Sequence, residues 1–107
     1  MTAKISKEEV AQVLRKVLSG EVRLKLSDPK KTWDGSFAGN VGFCVDGWTI
    51  VIFNDCDEID YIDNVVSPDG RSSEFGDWGT DEQIGCPLNL LTNDEMLALE
   101  FLVKAAR

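Results

Sequence analysis

The 107-residue chain contains no histidine. That absence removes Ser-His-Asp and Cys-His catalysis, His-ligated zinc, and the side chain that most often serves as a general base near neutral pH. Cysteine is scarce and poorly spaced for metal. Cys44, Cys56 and Cys86 lie twelve and thirty positions apart, whereas structural zinc sites draw on close-spaced pairs. Three thiols, an odd number, suit a reducing compartment better than a disulfide framework. Long hydrophobic runs are missing as well. Nothing approaches the roughly 20 apolar residues of a membrane span, and MTAKISKEEV has no apolar signal core. A cytoplasmic location away from membranes is expected. FAGNVG and GDWGTD contain glycines but match neither a phosphate loop nor a dinucleotide fingerprint, so no cofactor is expected.

Positive charge is also missing from most of the chain. Residues 1–32 carry eight Lys/Arg against four Asp/Glu, while residues 33–107 carry three against fifteen. Between 46 and 82 eleven acids face only Arg71. Such a field repels phosphate backbones and attracts cationic surfaces. The basic residues Arg15, Lys16, Arg23, Lys25, Lys30 and Lys31 alternate with apolar positions as on any solvated face, which disfavours nucleic acid as a partner.

What is present is ordinary globular composition, 43% hydrophobic and 28% charged, on a chain long enough for one core. A single domain over 1–107 is expected. In ISKEEVAQVLRKVLSG, Ser6 and Glu9 form a capping box, and Ile5 and Val10 the hydrophobic staple. Val10, Val13, Leu14, Val17 and Leu18 form one helical stripe, and Gly20 is the stop. The grammar returns in LTNDEMLALEFLVKAAR, with Thr92 as cap, Glu95 completing the box and Leu91 stapling onto Met96. Its apolar positions, Met96, Leu97, Leu99, Phe101, Leu102 and Val103, exceed one stripe and predict burial on two sides or cover by a second copy of the chain, with core packing favoured.

Between the helices the pattern is β. EVRLKLS alternates, and Asp46-Gly47 in NVGFCVDGWTIVIF is a strong hairpin signal. A two-residue turn there pairs Val45 with Trp48, Phe43 with Ile50 and Val41 with Ile52, all on one face. For EIDYI, a four-residue loop over 54–57 pairs Ile52 with Ile59 and Ile50 with Tyr61. Glu58 and Asp60 are then left outside. SPDGR is a turn, RSSEF a short fifth strand, and residues 76–91 a long loop. The expected fold is α+β: an antiparallel sheet of four or five strands, a hairpin meander, with the N- and C-terminal helices packed on it. The predicted core is Val13, Leu14, Val17, Phe43, Val45, Trp48, Ile50, Ile52, Tyr61, Leu97 and Phe101. Val51, Phe53 and Ile62 fall on the outer face and call for cover by a helix or a second subunit.

The stretch FNDCDEIDYID, residues 53–63, is the candidate for function, and keeping the sheet in water is the plainer reading of its charge. Starting at Asp55 it fails the EF-hand spacing, with Ile59 and Asp60 where a ligand and glycine belong. A looser oxygen cage of Asp55, Asp57 and Asp69 or Asp81 is the basis of one alternative, a metal-assisted enzyme or ion-binding protein. Paired carboxylates also serve glycoside hydrolysis, which needs a sugar cleft that so small a domain rarely supplies. Cys56 sits among acids that disfavour its thiolate, and Cys44, inside a strand, is expected to be buried. Trp33, Phe37, Phe75 and Trp78 lie in or beside loops, where aromatic residues near acids can act as interface anchors or plug the sheet ends. The leading expectation is a non-enzymatic, immunity- or inhibitor-like binding module. Its face of Asp55, Asp57, Glu58, Asp60, Trp33, Phe75 and Trp78 would meet a basic protein. A homodimeric structural protein is the third reading.

The block GNVGFCVDGWTIVIFNDCDEIDYIDNVVSPDGR, with TWDGSFAG before it and GTD after it, resembles an uncharacterised single-domain family of pseudomonads and related bacteria. The resemblance implies a bacterial cytoplasmic protein and carries no catalytic motif.

Overall fold

The computed structural model describes residues 4–35, 38–56, 58–78 and 87–106, with the side chains of Phe75, Gly76 and Asn89 set aside. Helix α1 (Lys7–Leu18) is followed by strands β1 (Leu24–Leu26), β2 (Ala38–Val45), β3 (Trp48–Asp55), β4 (Glu58–Val66) and β5 (Ser72–Glu74). Short 3₁₀ turns occupy Phe75–Trp78 and Pro87–Leu90, and helix α2 (Asn93–Ala105) ends the chain. The five strands form one antiparallel sheet in sequence order. The α+β meander with both terminal helices is therefore the observed fold.

The helix ends form as their sequences dictate. Ser6 Oγ accepts from the Glu9 N–H, and Glu9 Oε1 from the Ser6 N–H, both at 3.2 Å. Thr92 and Glu95 repeat the arrangement at α2. Beyond α1, the Gly20 N–H reaches the Val17 carbonyl and the Glu21 N–H the Lys16 carbonyl. That reciprocal pair requires a left-handed residue, and Gly20 takes φ 84°.

The central hairpin has the expected register. Asp46 (φ 47°) and Gly47 (φ 83°) supply the two positive φ values of a type I′ turn. Val45 pairs with Trp48, Phe43 with Ile50 and Val41 with Ile52. Val41, Phe43, Val45, Ile50 and Ile52 are fully buried and share a core with Val10, Val13, Leu14 and Val17 of α1 and Leu99 and Val103 of α2.

The β3–β4 register departs from expectation. Strand β3 runs on to Asp55, which pairs directly with Glu58, so the chain reverses over two residues rather than four. Asn54 pairs with Ile59, Phe53 with Tyr61, Ile52 with Ile62 and Ile50 with Val65. Two β-bulges make this possible, and Asp60 and Asp63 are the extra residues. Each bulge resets the inward–outward alternation. Ile62, expected outside, is thus fully buried, and Tyr61, expected in the core, turns to the outer face. Ile59 remains inside and half-buried.

Three further expectations are corrected. Leu97 and Phe101 of α2 are exposed, and Leu99 and Val103 form its buried stripe instead. Cys44 lies on the outer face and is exposed, its sulfur 3.3 Å from Ser27 Oγ. Trp33, placed on the binding face with a plug for the sheet end as its other reading, is completely buried. Its ring lies 6.2 Å from that of Phe43, and its carbonyl accepts from Asn54 Nδ2 at 3.0 Å. At that end of the inner face β2 and β3 present Gly39 opposite Asn54, where other rows hold Val, Phe or Ile.

Two arginines lock the layers. Arg71, beyond the β4–β5 turn, donates bidentately to Glu9 (2.9 and 3.3 Å) and through Nε to Asp69 (2.9 Å). Arg15 of α1 donates to Glu95 of α2 (3.0 Å) and to the Leu90 carbonyl (2.8 Å). Each capping glutamate therefore serves its own helix and a distant element. Hydrogen bonds from Arg71 and then from the Ser6 backbone hold Glu9 below its ordinary value of 4.5. Arg15 and then Thr92 do the same for Glu95.

Two outcomes follow from this packing. Trp33→Ala is expected to cost about 3–5 kcal/mol in urea denaturation, the range for deleting a buried aromatic. Carboxylates held more acidic in the folded chain contribute stability above their unfolded value and lose it as pH falls through the folded one. Stability should thus be flat above about pH 5 and fall on acidification. The drop between neutral and acidic pH should be smaller in Arg71→Met and Arg15→Met, measured by urea midpoints at both values.

Candidate functional site

The acidic stretch occupies the free end of the β3–β4 hairpin and the outer flank of β4. Asp55 and Glu58 are exposed and directly opposite each other. Asp60 is exposed and Asp63 half-buried, with Asp63 accepting from Asn64 Nδ2 at 2.8 Å. Among the described residues, none of these four carboxylates joins an ion pair. Arg71 lies at the other end of β4, held by Glu9 and Asp69.

Beside them the outer face carries a cross-strand aromatic pair. The rings of Phe53 and Tyr61 stack 5.1 Å apart at 10°, both half-buried. Stacking gives these side chains partial cover on a face where both helices are absent, since α1 and α2 join the inner core. Val51 is half-buried on the same face and Val66 39% exposed. Asn40, paired with Phe53, keeps a buried Oδ1 without a hydrogen-bond partner.

The strand edge explains part of the acidity. Among the described residues strand β4 pairs with β5 over Asn64–Val66 alone, so Glu58–Asp63 has a strand neighbour there on one side. Bulges and charges on such an edge discourage pairing with another chain. This accounts for Asp60 and Asp63. It does not account for Asp55, which lies on an interior strand opposite a like charge, an arrangement that works against the fold.

The remaining predicted residues separate. Asp57, Phe37, Cys86 and Asp81 lie outside the described residues, as does most of the predicted 76–91 loop, and so does the Phe75 side chain. Trp78 is half-buried at the edge of the core, where its Nε1–H donates to the Ile5 carbonyl at 2.9 Å. Ser73 Oγ accepts from the Ile5 N–H at 2.7 Å and donates to the same carbonyl. Trp33 and Trp78 thus plug and fasten the sheet ends. Asp69 is bound to Ser67 and Arg71 at the far end of β4, where those contacts lower its pKa. Nine residues of strand, about 30 Å, separate it from Asp55, so the proposed Asp55–Asp69 cage does not form. Among the described residues no three acidic or cysteine side chains converge on a point that could hold an ion.

Cys56 sits in the hairpin reversal at φ 52°, a region that L-residues other than Asn and Asp seldom adopt. Desolvation, a hydrogen bond with Asp55, and the charges of Asp55 and Glu58 push its thiol up. An uncharged thiol is a poor nucleophile. The Phe53–Tyr61 pair is what sequence reasoning missed. Its signal was the register of the two aspartates, since only a bulge at each leaves Ile59, Ile62 and Val65 all facing inward.

Fold and site together define a small one-sided α+β domain: helices on one face, and on the other an open sheet bearing an aromatic stack with an acidic end. The chain belongs to the family described as a domain of unknown function (DUF7693), which matches residues 4–105. Neither a curated protein nor a solved structure matches it. No helix among the described residues is long and apolar enough to cross a membrane.

Cys56→Asn should relieve the backbone strain and raise stability by about 0.5–1 kcal/mol in urea denaturation, since Asn tolerates the left-handed region.

Proposed function

We propose that this protein is a non-enzymatic binding module whose acidic hairpin end engages a basic protein partner. The carrying observation is the direct opposition of Asp55 and Glu58 on an exposed surface where, among the described residues, no cation neutralises them. Like charges in register oppose folding, and a bound cationic side chain turns that repulsion into attraction. Asp60 and Asp63 extend the field along β4. The Phe53–Tyr61 stack supplies an adjoining apolar surface of the kind that interface cores use. The same field disfavours nucleic acid. Two exposed free thiols, Cys44 and Cys56, favour a reducing compartment for this activity, and the resemblance of the central block to bacterial proteins favours a bacterial cytoplasm.

The test is affinity capture from bacterial lysate at low ionic strength, with the captured protein identified and then measured by calorimetry. The expected partner is basic, and its affinity falls steeply with salt. It should weaken at least about tenfold in the combined variant Asp55→Lys, Glu58→Lys, Asp60→Lys. Equal affinity for that variant, or a complex indifferent to salt, would overturn the reading.

A further inference from the structure

The C-terminal helix carries an apolar face that the proposed site does not use. Leu97 is 66% and Phe101 73% exposed, and Ala98 and Ala105 are exposed as well. Their spacing places all four on one side of α2, opposite the buried Leu99 and Val103. Next to this stripe runs an open groove of about 410 Å³ lined by Ile59, Asn93, Met96, Leu97, Glu100 and Glu58, the last shared with the acidic hairpin end.

We propose that this face is an interface between two copies of the chain, with α2 packed antiparallel on α2 across a twofold axis level with residue 99. In such an interface each residue meets the one equally displaced on the other side of the axis. Leu97 and Phe101 lie two residues to either side of that level, and Asp94 and Lys104 five. Leu97 therefore meets the second copy's Phe101, and Asp94 the second copy's Lys104, each contact occurring twice. A parallel arrangement would set Asp94 on Asp94 and Lys104 on Lys104. The antiparallel one also opposes the helix dipoles favourably. Exposed Ala98 and Ala105 allow the backbones to approach, and the groove beside Leu97 gives depth for an incoming phenyl ring. A basic peptide would meet Lys104 at one end of this stripe, whereas a second copy brings Asp94 to it; Lys104 also holds Glu100 of its own helix at 3.5 Å. One helix pair about 20 Å long is small for a stable interface, so association is weak and concentration-dependent.

Sedimentation of the full chain from about 5 to about 500 µM tests this, a range that brackets weak affinities. The expected mass rises towards twice that of the chain. Added salt leaves the association intact or strengthens it, because two chains of net charge −8 repel at low ionic strength. This is the reverse of the salt response expected for the basic partner, so either proposal can fail without the other. Phe101→Glu and Leu97→Glu, at positions already in solvent, should stay monomeric throughout with unchanged circular dichroism. Asp94→Lys and Lys104→Glu should each weaken association about tenfold or less, and the double variant should restore it. A monomer at every concentration, a dimer indifferent to Phe101→Glu, or a double variant no better than the singles would overturn the proposal.

Discussion

The structure depends on the register set by the Asp46–Gly47 turn. Two consecutive residues at positive φ commit β2 and β3 to a two-residue reversal. That choice decides which of sixteen strand residues face the helices. Val41, Phe43, Val45, Ile50 and Ile52 form the floor on which α1 and α2 rest. A slip of one position would send all five into water. Strands β1 and β5 then pair over three residues each at the two edges, adding Leu24, Leu26 and Ser73 to the same side.

Polar groups attach the helices to this floor. Glu9 and Glu95 each close a capping box and receive an arginine from another element. The helix starts are thereby tied to the rest of the fold at groups that need partners in any case. The chain entering α1 is held by the hydrogen bonds that Ser73 and Trp78 make with Ile5. Arg71 shows the consequence for the surface. As the sole cation among eleven acids between 46 and 82, it is spent on the joint between α1 and the β4–β5 turn. The hairpin end keeps its negative field.

Two bulges turn that field to account. By inserting Asp60 and Asp63 as unpaired residues, β4 keeps Ile59, Ile62 and Val65 facing inward, and Tyr61 stacks on Phe53 outside. The result is a sheet with a dry face, a half-covered face and an acidic rim on an edge protected against pairing.

Local signals were legible in advance wherever the chemistry was local. Both capping boxes, the Gly20 stop and the β2–β3 register follow from residues within a few positions of each other, because capping and tight turns are short-range interactions. The acidic character of residues 55–63 was legible for the same reason. Its surroundings were not. Period-two alternation carries no mark of a bulge, so Tyr61 and Ile62 were exchanged between faces. An isolated Trp33 shows no periodicity, and its contacts with Phe43 and Asn54 are made only in the assembled fold. In α2 the apolar residues outnumber one stripe. Which stripe enters the core depends on how α1 and the sheet present themselves, and that is a property of the assembled layers. The sequence alone determined the main elements, the helix ends, the β2–β3 turn and the charge. The tertiary structure decided which side of β4 and α2 meets water, because faces are chosen by long-range packing.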